Sequence, residues 1–350
     1  MIDLLMQKII IEKPGHYDVL KLVEFQTPTL NANQVLIKVH AAGLNYADGI
    51  IRMGLYESAK RLHGYPITPG FEIAGEVIEV HPDITEYKVG DKIIGVTLFG
   101  GYSSHIVLDT TRLFRLPENL SFEQAAALPT VFLTAWFMVH RQVNPRAGDT
   151  WLIHSAAGGV GSALVQLGKL AGVRVIGVIG SAHKRDACLA MGADDVIIKT
   201  EHHCWQEAER LAPMGFDAIF DANGVSTLGE SYRHLAPMGK LCIYGFASML
   251  PNNGRLNWLK LAWHWWRTPR FNPLKMTQEN RSVLAANLSF LSEHATMLRE
   301  GMLWLRERFA DGRLKPLPVE TFDLADAGKA QARIESGKTV GKIVLLPQHL

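Results

Sequence analysis

The sequence predicts an α/β protein in which a small β-barrel is followed by a doubly wound parallel sheet. Residues 7–125 contain mostly short strand-like segments separated by glycine and proline, which is typical of a small barrel. Residues 149–180 then combine a strand, a glycine turn, a helix and a second strand, and further strand-like segments alternate with helical ones. A chain of 350 residues is long enough for two domains, each with its own core.

The barrel prediction depends on apolar patterning in the first third of the chain. Apolar residues recur with a period of two in residues 34–40, as expected of a strand with a buried face. Residues 72–80 form a second strand-like segment, and residues 89–95 predict a turn that leads into a third strand. A helix is predicted from Phe122, and its register continues to Val139.

The central feature of the sequence is a strand–glycine turn–helix–strand unit. Trp151–His154 is a short apolar run typical of a buried strand, and Val173–Ile179 is a second run rich in β-branched residues. Between them, apolar residues recur at helical spacing from Val160 to Leu170. The turn that opens this helix contains Gly158, Gly159 and Gly161.

This unit predicts a dinucleotide site. The usual fingerprint is G-x-G-x-x-G, and here Ala156 replaces the first glycine. Gly158 would let the backbone approach a pyrophosphate, Gly161 would let the helix pack against the strand, and the helix N-terminus would attract the phosphates. A glycine turn that serves packing alone is the alternative, and the flanking strand and helix favour the nucleotide.

The end of the second strand favours NADPH over NADH. An NAD site usually has an acidic residue there for the ribose hydroxyl, whereas this chain has no acid between Ile179 and Asp186. Ser181, Lys184 and Arg185 offer a hydroxyl and two cations to a 2′-phosphate. The alternative is that the two cations simply open a solvated helix.

The remaining strand-like segments extend the parallel sheet, and the bulk composition excludes several classes of protein. The segments are Val196–Ile198, Phe216–Phe220 and Lys240–Tyr244, and strand character returns at Lys342–Leu346. The formal charge of +2 gives no reason to expect nucleic acid, and 3 widely spaced cysteines imply no disulfide framework. Without a signal peptide or a spanning apolar run, we expect a cytoplasmic protein.

An ordered set of motifs covers nearly the whole chain: Asn45–Tyr56, Pro69–Gly75, Val89–Lys92, Ala125–Pro129, Thr134–Ala135, Ala156–Gly161 and Gly192–Asp194. The set resembles the zinc-independent medium-chain dehydrogenases/reductases of the quinone oxidoreductase (zeta-crystallin-like) family. Residues 261–266 and 278–281 are similar to its synaptic vesicle membrane protein branch. The resemblance implies a GroES-like catalytic domain, a Rossmann domain, a cleft that they enclose, and a homodimer.

On this basis we divide the chain into three parts and expect no catalytic zinc. Residues 1–125 begin the GroES-like domain, residues 126–305 form the Rossmann domain with a tryptophan-rich insertion, and residues 306–350 return to the first domain. Zinc-dependent relatives bind the metal with Cys, His and Cys, and Asn45, Phe71 and Thr130 stand at those positions, without thiolate or imidazole. His202-His203-Cys204 has no fourth ligand at motif spacing.

The resemblance implies hydride transfer from NADPH to a quinone or an α,β-unsaturated carbonyl. Asn45 and Tyr56 are candidates for orienting and polarising the acceptor oxygen, and Asp48 is a third catalytic candidate. Tyr56 could instead be a half-buried aromatic that caps the turn after Gly54. Asp48 and Arg52 are four residues apart and could form a simple helical ion pair, which we favour for Arg52.

The predicted cofactor contacts come from the glycine turn, the strand ends, a helix and the C-terminal strand. For the contacts that lie beyond the glycine turn, the alternative is that the residues serve only to pack loops. Lys342 is assigned to the side of the cofactor that carries the 2′-phosphate. The residues are Thr134, Ala157, Gly158, Gly159, Val160, Gly161, Ser181, Lys184, Asn223, Tyr244, Gly245, Phe246 and Lys342.

Residues 231–278 lack Asp and Glu but contain cations and tryptophans at helical spacing. A basic amphipathic helix could lie on an anionic membrane surface. It could also cover the active-site cleft or a dimer interface, which we favour because Pro251, Pro269 and Pro273 leave room for only a short helix. A non-catalytic, nucleotide-binding protein that acts at a membrane or with a partner protein is therefore the alternative to the reductase.

Overall fold

The computed structural model describes residues 6–26, 28–251, 254–291 and 293–348. The strands, numbered along the chain, are β1 (Met6–Ile10), β2 (Lys21–Phe25), β3 (Gln34–Leu44), β4 (Glu72–Val80), β5 (Lys92–Val96), β6 (His105–Asp109), β7 (Leu113–Arg115), β8 (Thr150–His154), β9 (Arg174–Ile179), β10 (Asp195–Ile198), β11 (Phe216–Asp221), β12 (Leu235–Ile243), β13 (Ser282–Ala285), β14 (Val319–Asp323) and β15 (Lys342–Leu346).

The α-helices are α1 (Tyr46–Arg52), α2 (Glu57–Leu62), α3 (Phe122–Ala126), α4 (Pro129–Phe137), α5 (Gly159–Leu170), α6 (Arg185–Ala190), α7 (Cys204–Leu211), α8 (Leu228–Arg233), α9 (Trp258–Arg267), α10 (Pro273–Glu279), α11 (Ala295–Ala310) and α12 (Ala327–Glu335). Short 3-10 helices cover Tyr17–Val19, Thr110–Arg112, Ala182–Lys184, Ala247–Met249, Leu288–Leu291 and Leu324–Asp326, and a π-helical turn covers Met138–Val143.

The chain forms two units. The first comprises Met1–Leu133, Asn252–Gly254 and Ser289–Leu350, and the second comprises Thr134–Pro251 and Arg255–Leu288. The boundaries between these units lie at 133/134 and 288/289, whereas the sequence placed the corresponding boundaries at 125/126 and 305/306. The domain limits drawn from the sequence stay a prediction.

The first unit is built around a mostly antiparallel sheet. Its strand order is β14-β15-β3-β4-β5-β7, with β6 paired to β3, and β1 and β2 form a separate antiparallel pair. The C-terminal strand β15 runs antiparallel to β3 and parallel to β14. Val35, Ile37 and Val39 of β3 are fully buried, as the period of two predicted, and Leu36 between them is buried as well.

The second unit is an all-parallel sheet of six strands. The order β10-β9-β8-β11-β12-β13 is the 3-2-1-4-5-6 order of a dinucleotide-binding fold, in which the chain reverses direction of winding between β8 and β11. Helices α5 to α8 connect successive strands, and the apolar faces of β8 to β12 form the core of this unit. The predicted fold class, a GroES-like unit with a Rossmann unit, is confirmed.

Three features of the fold differ from the sequence prediction. The helix predicted over residues 122–139 is interrupted, because α3 ends at Ala126 and a proline opens α4 at Pro129. Strands β13 and β14 were not predicted. Both are edge strands whose residues are largely half-buried or exposed, so they lack a strong apolar period.

Candidate nucleotide and acceptor sites

The glycine turn lies at the carboxyl end of β8, in the second unit. A Cβ on Gly161 would lie 2.2 Å from the carbonyl oxygen of Ser155, so only glycine lets α5 approach the strand this closely. Gly158 precedes α5 at its N-cap, and a Cβ there would meet only the Ser155 carbonyl oxygen, at 3.3 Å. The turn therefore leaves the amides at the start of a 12-residue helix accessible to an anion.

The loops after β11 and β12 lie beside this turn. The Ser155 hydroxyl donates to Asn223 Oδ1 at 3.3 Å, and the Ala247 amide donates to the Ala222 carbonyl at 3.0 Å. Tyr244 extends its hydroxyl towards the His154 carbonyl oxygen, at 3.5 Å. The structure thus brings the predicted residues Asn223 and Tyr244–Phe246 to the switch point of the sheet, together with the predicted turn residues Ala157 to Gly161.

One buried polar atom at the switch point of the sheet makes no hydrogen bond to the described residues. The Nδ2 atom of Asn223 has no partner among the residues that the structure describes. Buried amide groups are nearly always hydrogen-bonded, so an unpaired one at a switch point indicates a place for a ligand acceptor atom. Asn223 Oδ1 already accepts a hydrogen bond from the Ser155 hydroxyl, and this bond fixes the plane of the Asn223 side-chain amide.

Asp221 organises the loop that carries Asn223, a role that the sequence did not predict. Its Oδ1 atom accepts the amides of Asn223 and Gly224 at 2.8 and 3.0 Å, and its Oδ2 atom accepts the Ser231 hydroxyl at 2.8 Å. The side chain is fully buried. An acidic residue that directly follows the apolar run Ala218–Phe220 was the signal that could have identified it.

His154 is a packed residue at the end of β8. It is fully buried, and its Nε2 atom lies 3.1 Å from the Ser231 hydroxyl. Burial lowers the pKa of His154 to about 4, and the nearby Asp221 carboxylate only partly opposes this effect. A neutral imidazole held inside the sheet is not placed to exchange protons with a substrate.

The segment after β9 contains the predicted 2′-phosphate residues. Ser181 precedes the short helix Ala182–Lys184, and its hydroxyl lies 3.1 Å from His183 Nδ1. Lys184 is buried, whereas Arg185, the first residue of α6, is exposed. The alternative of a solvated helix start therefore describes Arg185 but not Lys184. Thr134, a further predicted cofactor contact, lies half-buried on α4.

In the first unit, three strands meet at a buried ion pair. Lys342 opens β15, and the register of Ile343 with Leu44 brings it beside Asn45. The Lys342 ammonium donates to Glu72 Oε1 at 2.6 Å and to Asn45 Oδ1 at 2.5 Å, while Asn45 Nδ2 donates to the same Glu72 oxygen at 2.8 Å. Both charged side chains are almost fully buried.

This geometry corrects the assignment of Lys342. The sequence placed it at the 2′-phosphate, but its ammonium is taken up by Glu72 and Asn45 within the first unit. Glu72 was missed altogether, and its second oxygen accepts the Thr130 amide at 2.6 Å. Gly43 permits this arrangement, because a Cβ there would lie 2.5 Å from Glu72 Oε1. A charged residue opening each of two apolar strands was the available signal.

Asp48 is a structural acceptor in this unit. Its carboxylate accepts the amides of Asn45 and Gly70 at 2.8 and 3.1 Å and the Tyr102 hydroxyl at 2.9 Å, and it is fully buried. Burial raises the pKa of Asp48 to about 7, although these donors favour the charged form. The structure therefore places Asp48 beneath Asn45 as a support for α1.

The predicted helical pair between Asp48 and Arg52 is wrong. Arg52 instead donates to Glu335 Oε1 at 2.7 Å and to Gln331 Oε1 at 2.7 Å, both on α12, and it is fully buried. The donors that Asp48 accepts come from other elements, so the two residues face different partners despite their spacing. Arg52 is structural, as the sequence favoured, but it joins α1 to α12.

Tyr56 belongs to an aromatic cluster of the first unit. Its ring stands edge-on to Phe71 with centroids 6.0 Å apart, and Phe71 in turn lies 5.8 Å from Phe99. The Tyr56 hydroxyl is hydrogen-bonded to Ser289. The residue is half-buried and precedes α2, so the turn-capping alternative describes its position correctly.

Comparison with known proteins places these features in a family. Residues 31–118 match the "Alcohol dehydrogenase GroES-like domain" and residues 159–265 match the "Zinc-binding dehydrogenase" family. The chain is 33% identical over 337 residues to the synaptic vesicle membrane protein VAT-1 homolog of Danio rerio, covering 96% of this chain and 69% of the relative. The chain belongs to the zinc-independent, quinone oxidoreductase-like medium-chain dehydrogenases/reductases, near their VAT-1 branch.

Solved structures support this family assignment. Escherichia coli quinone oxidoreductase, complexed with NADPH, is 27% identical with a TM-score of 0.84, and the match covers 97% of this chain and 100% of that one. The CurK enoyl reductase is 25% identical with a TM-score of 0.84, covering 98% and 100%. The resemblance found in the sequence is therefore confirmed.

Residues that were considered as metal ligands in the sequence make other contacts in the structure. Among them, no group of three or more His, Cys, Asp or Glu side chains is arranged to hold a metal ion. Asn45 and the Thr130 amide, at two of the positions where zinc-dependent relatives carry ligands, both bond to the Glu72 carboxylate. His202 bonds through Nδ1 to the Ile198 carbonyl, at 3.2 Å.

Proposed function

We propose that the chain binds NADPH and transfers its hydride to a quinone or an α,β-unsaturated carbonyl. The observation that carries the proposal is the unpaired Nδ2 atom of Asn223 beside the glycine turn, at the switch point of a 3-2-1-4-5-6 sheet. The NADPH complex of the Escherichia coli quinone oxidoreductase supports the cofactor. That enzyme and the enoyl reductase support the class of acceptor.

The residues of the second unit fit NADPH. Gly158 leaves room at the first turn of α5, where backbone amides would bind the pyrophosphate. Ser181 and Lys184 would bind the 2′-phosphate by charge-assisted hydrogen bonds. Asn223 Nδ2 would donate to the nicotinamide half, next to Tyr244, Gly245 and Phe246, with Thr134 as a further contact. The cofactor supplies the hydride when bound, and these residues orient and hold it.

We propose that the first unit positions the acceptor through Asn45 and Tyr56. Lys342 and Glu72 fix both ends of the Asn45 amide and leave one Nδ2 hydrogen to donate to an acceptor oxygen on which negative charge develops. The aromatic cluster of Tyr56, Phe71 and Phe99 suits a flat, apolar acceptor and would exclude water from it. Asp48 supports Asn45 and would not touch the acceptor.

The cofactor part is tested by titrating NADPH and NADH against the wild type and Lys184→Ala. Loss of a hydrogen bond to a charged group costs about 1.5–3 kcal/mol, so NADPH affinity should fall roughly 10- to 100-fold. NADH affinity should not change. Arg146→Ala, which removes an exposed cation of the same unit, is the control and should leave both affinities unchanged. Equal losses for NADPH and NADH would contradict the 2′-phosphate assignment.

The acceptor part is tested by following NADPH absorbance in stopped flow with a panel of quinones and enones. Acceptor-dependent oxidation is the expected result, and Asn45→Ala should lower kcat by about 10²–10³-fold if its amide donates to the developing oxyanion. Tight NADPH binding without oxidation of any acceptor would contradict the reductase. That outcome would instead favour the non-catalytic nucleotide-binding alternative.

A further inference from the structure

The first unit contains a cavity that the proposed function does not use. Its volume is about 930 Å³, and neither Asn45 nor Tyr56 lines it. The walls come from the end of β7 and the turn that follows it, the starts of β5 and α3, and the C-terminal end of α11. Ligand cavities in proteins measure roughly 300–1,000 Å³, so this cavity is large enough for a small organic ligand.

Hydrogen bonds between neighbouring elements fix the walls of the cavity. The Nδ2 atom of Asn119, in the turn after β7, donates to the Phe309 carbonyl of α11 at 2.9 Å. The Nε atom of Arg306 donates to the Arg115 carbonyl at 2.8 Å and so joins α11 to β7. Because these bonds form within the protein itself, a ligand would enter a preformed cavity and would lose little free energy in ordering its walls.

Three cations line the cavity, and two of them have unused donors. Arg115 is neutralised, because its Nη1 atom lies 3.0 Å from Asp91 Oδ2. The Arg306 terminal nitrogens and the Lys92 ammonium make no hydrogen bond or ion pair with any residue that the structure describes. Because its Nε atom is held by β7, the Arg306 guanidinium offers its terminal N–H groups in a fixed orientation, which suits a carboxylate.

Two carboxylates of the same cavity are also unpaired. Glu118 lies in the turn between β7 and α3, and Glu123 lies in the first turn of α3. Neither carboxylate forms a salt bridge or accepts a hydrogen bond within the described ranges. A ligand that carried only one charge would be repelled by the side chains of the same sign, so the arrangement favours a ligand with both a cationic and an anionic group.

The other side chains that line the cavity are mostly apolar. Pro117 and Leu120 are buried, and the Phe122 ring is held in place by parallel stacking on His40, with the ring centroids 4.3 Å apart. Apolar side chains of a ligand would pack against these residues and leave water. The cavity thus combines charges of both signs with an apolar surface, which is the chemistry that a short apolar peptide with free termini requires.

We propose that this cavity binds a short peptide that has apolar side chains and free termini. The carboxylate of the peptide pairs with Arg306 and Lys92, its ammonium pairs with Glu118 and Glu123, and its side chains pack against the apolar lining. A free apolar amino acid carries the same three groups, and the experiment distinguishes these two sources. The proposal does not rest on the reductase activity, because no residue of the cavity belongs to the nucleotide or acceptor site.

The experiment titrates the full chain with the dipeptide leucyl-phenylalanine in a calorimeter. Acetylation of the dipeptide removes its ammonium, and amidation removes its carboxylate. Each change should weaken binding by about 10-fold or more, as expected when a hydrogen bond to a charged group is lost. Phenylalanine alone should bind more weakly than the dipeptide, and tighter binding of phenylalanine would identify the free amino acid as the ligand.

Variants of the cavity assign the two charged ends of the dipeptide. Arg306→Met should lower the affinity and abolish the advantage of the dipeptide over its amidated form. Lys92→Met should do so in part, and it leaves the bond between α11 and β7 intact. Glu118→Gln/Glu123→Gln should abolish the advantage over the acetylated form.

The controls remove exposed charges of the same unit that lie outside the cavity. Arg112→Met and Glu24→Gln should both bind the dipeptide like the wild type. Circular dichroism of each variant establishes that it is folded. Equal affinity for the dipeptide and its two blocked forms overturns the proposal, and so does absence of binding at millimolar concentrations. Unchanged binding by folded Lys92→Met and Glu118→Gln/Glu123→Gln also overturns it. None of these outcomes depends on NADPH or on turnover.

Discussion

We expect the buried Glu72–Lys342 pair to stabilise the first unit. Glu72→Gln keeps the shape of the side chain and removes its charge. The Lys342 ammonium, of which 2% is exposed, would then be buried without a counter-charge. The glutamine NH₂ group would also face a donor, because Glu72 accepts hydrogen bonds at both oxygens. Breaking a buried pair in this way costs about 3–5 kcal/mol of unfolding free energy.

The reverse variant should cost less. Lys342→Met leaves the Glu72 carboxylate with the Asn45 amide at 2.8 Å and the Thr130 amide at 2.6 Å, so the remaining charge keeps two donors. Glu72→Gln/Lys342→Met should therefore lose less than the sum of the single variants. Arg61→Met is the matched control, because its pair with Glu57 in the same unit is 69% and 52% exposed and should contribute less than about 1 kcal/mol.

The assay has to report on the first unit alone, since a two-unit chain need not unfold in one step. Hydrogen exchange of peptides from β3, β4 and β15, measured by mass spectrometry, gives the local free energy of opening. Glu72→Gln should lower it in all three strands, and Arg61→Met should not. If Glu72→Gln costs no more than Arg61→Met, or if the double variant loses the full sum, the pair does not stabilise the unit as argued.

Three further predictions follow from the backbone and the buried titratable groups. Gly161→Ala should lower the unfolding free energy of the second unit in thermal scans, whereas Gly158→Ala should stay folded and bind NADPH more weakly in titrations. Gly229→Ala is the control for both measurements, because no atom lies within 4 Å of the added Cβ. Because burial lowers the pKa of His154 to about 4, the unfolding free energy should decrease as the pH falls from about 6.5 towards 4, and His154→Gln should remove that slope in urea titrations. Because burial raises the pKa of Asp48 to about 7, the contribution of Asp48 to the unfolding free energy should weaken as the pH rises from about 4 to about 7. Asp48→Asn should give a less stable protein whose unfolding free energy depends less on pH.

The sequence predicted most of the second unit, and the reason is physical. Strands of a parallel sheet are buried on both faces, so β8, β9 and β11 appear as apolar runs that local patterning detects. The residues of β13 and β14 are half-buried or exposed at sheet edges, and no apolar period marks them. The glycine turn was predictable because its steric requirement lies within seven residues of one motif.

The acceptor side was predictable only in part. Asn45 and Tyr56 came from a motif. The side-chain partners of Lys342, however, lie 270 and 297 residues away in the chain, and those of Arg52 lie 279 and 283 residues away. A local rule assigned Arg52 to Asp48, four residues earlier, because that was the acid within reach on the same helix. The packing of α1 against α12 determines the side-chain partners of Arg52, and the register of β15 with β3 determines those of Lys342. Neither relation between distant segments is contained in local spacing.

The position of Lys342 also bears on how Asn45 would act under the proposed function. An ammonium that donates to Asn45 Oδ1 withdraws electron density from the amide and strengthens Nδ2 as a donor, and in a buried site such chains of hydrogen bonds reinforce one another. The Glu72 carboxylate occupies one Nδ2 hydrogen and directs the other. The ion pair that stabilises the first unit would thus also orient the group that polarises the acceptor. Arg52 and Glu335 form an equally buried pair between α1 and α12, and their hydrogen bonds go to Gln331, Gly15 and Tyr17. We therefore expect stability and turnover to change together in variants of Glu72, and stability alone to change in variants of Glu335.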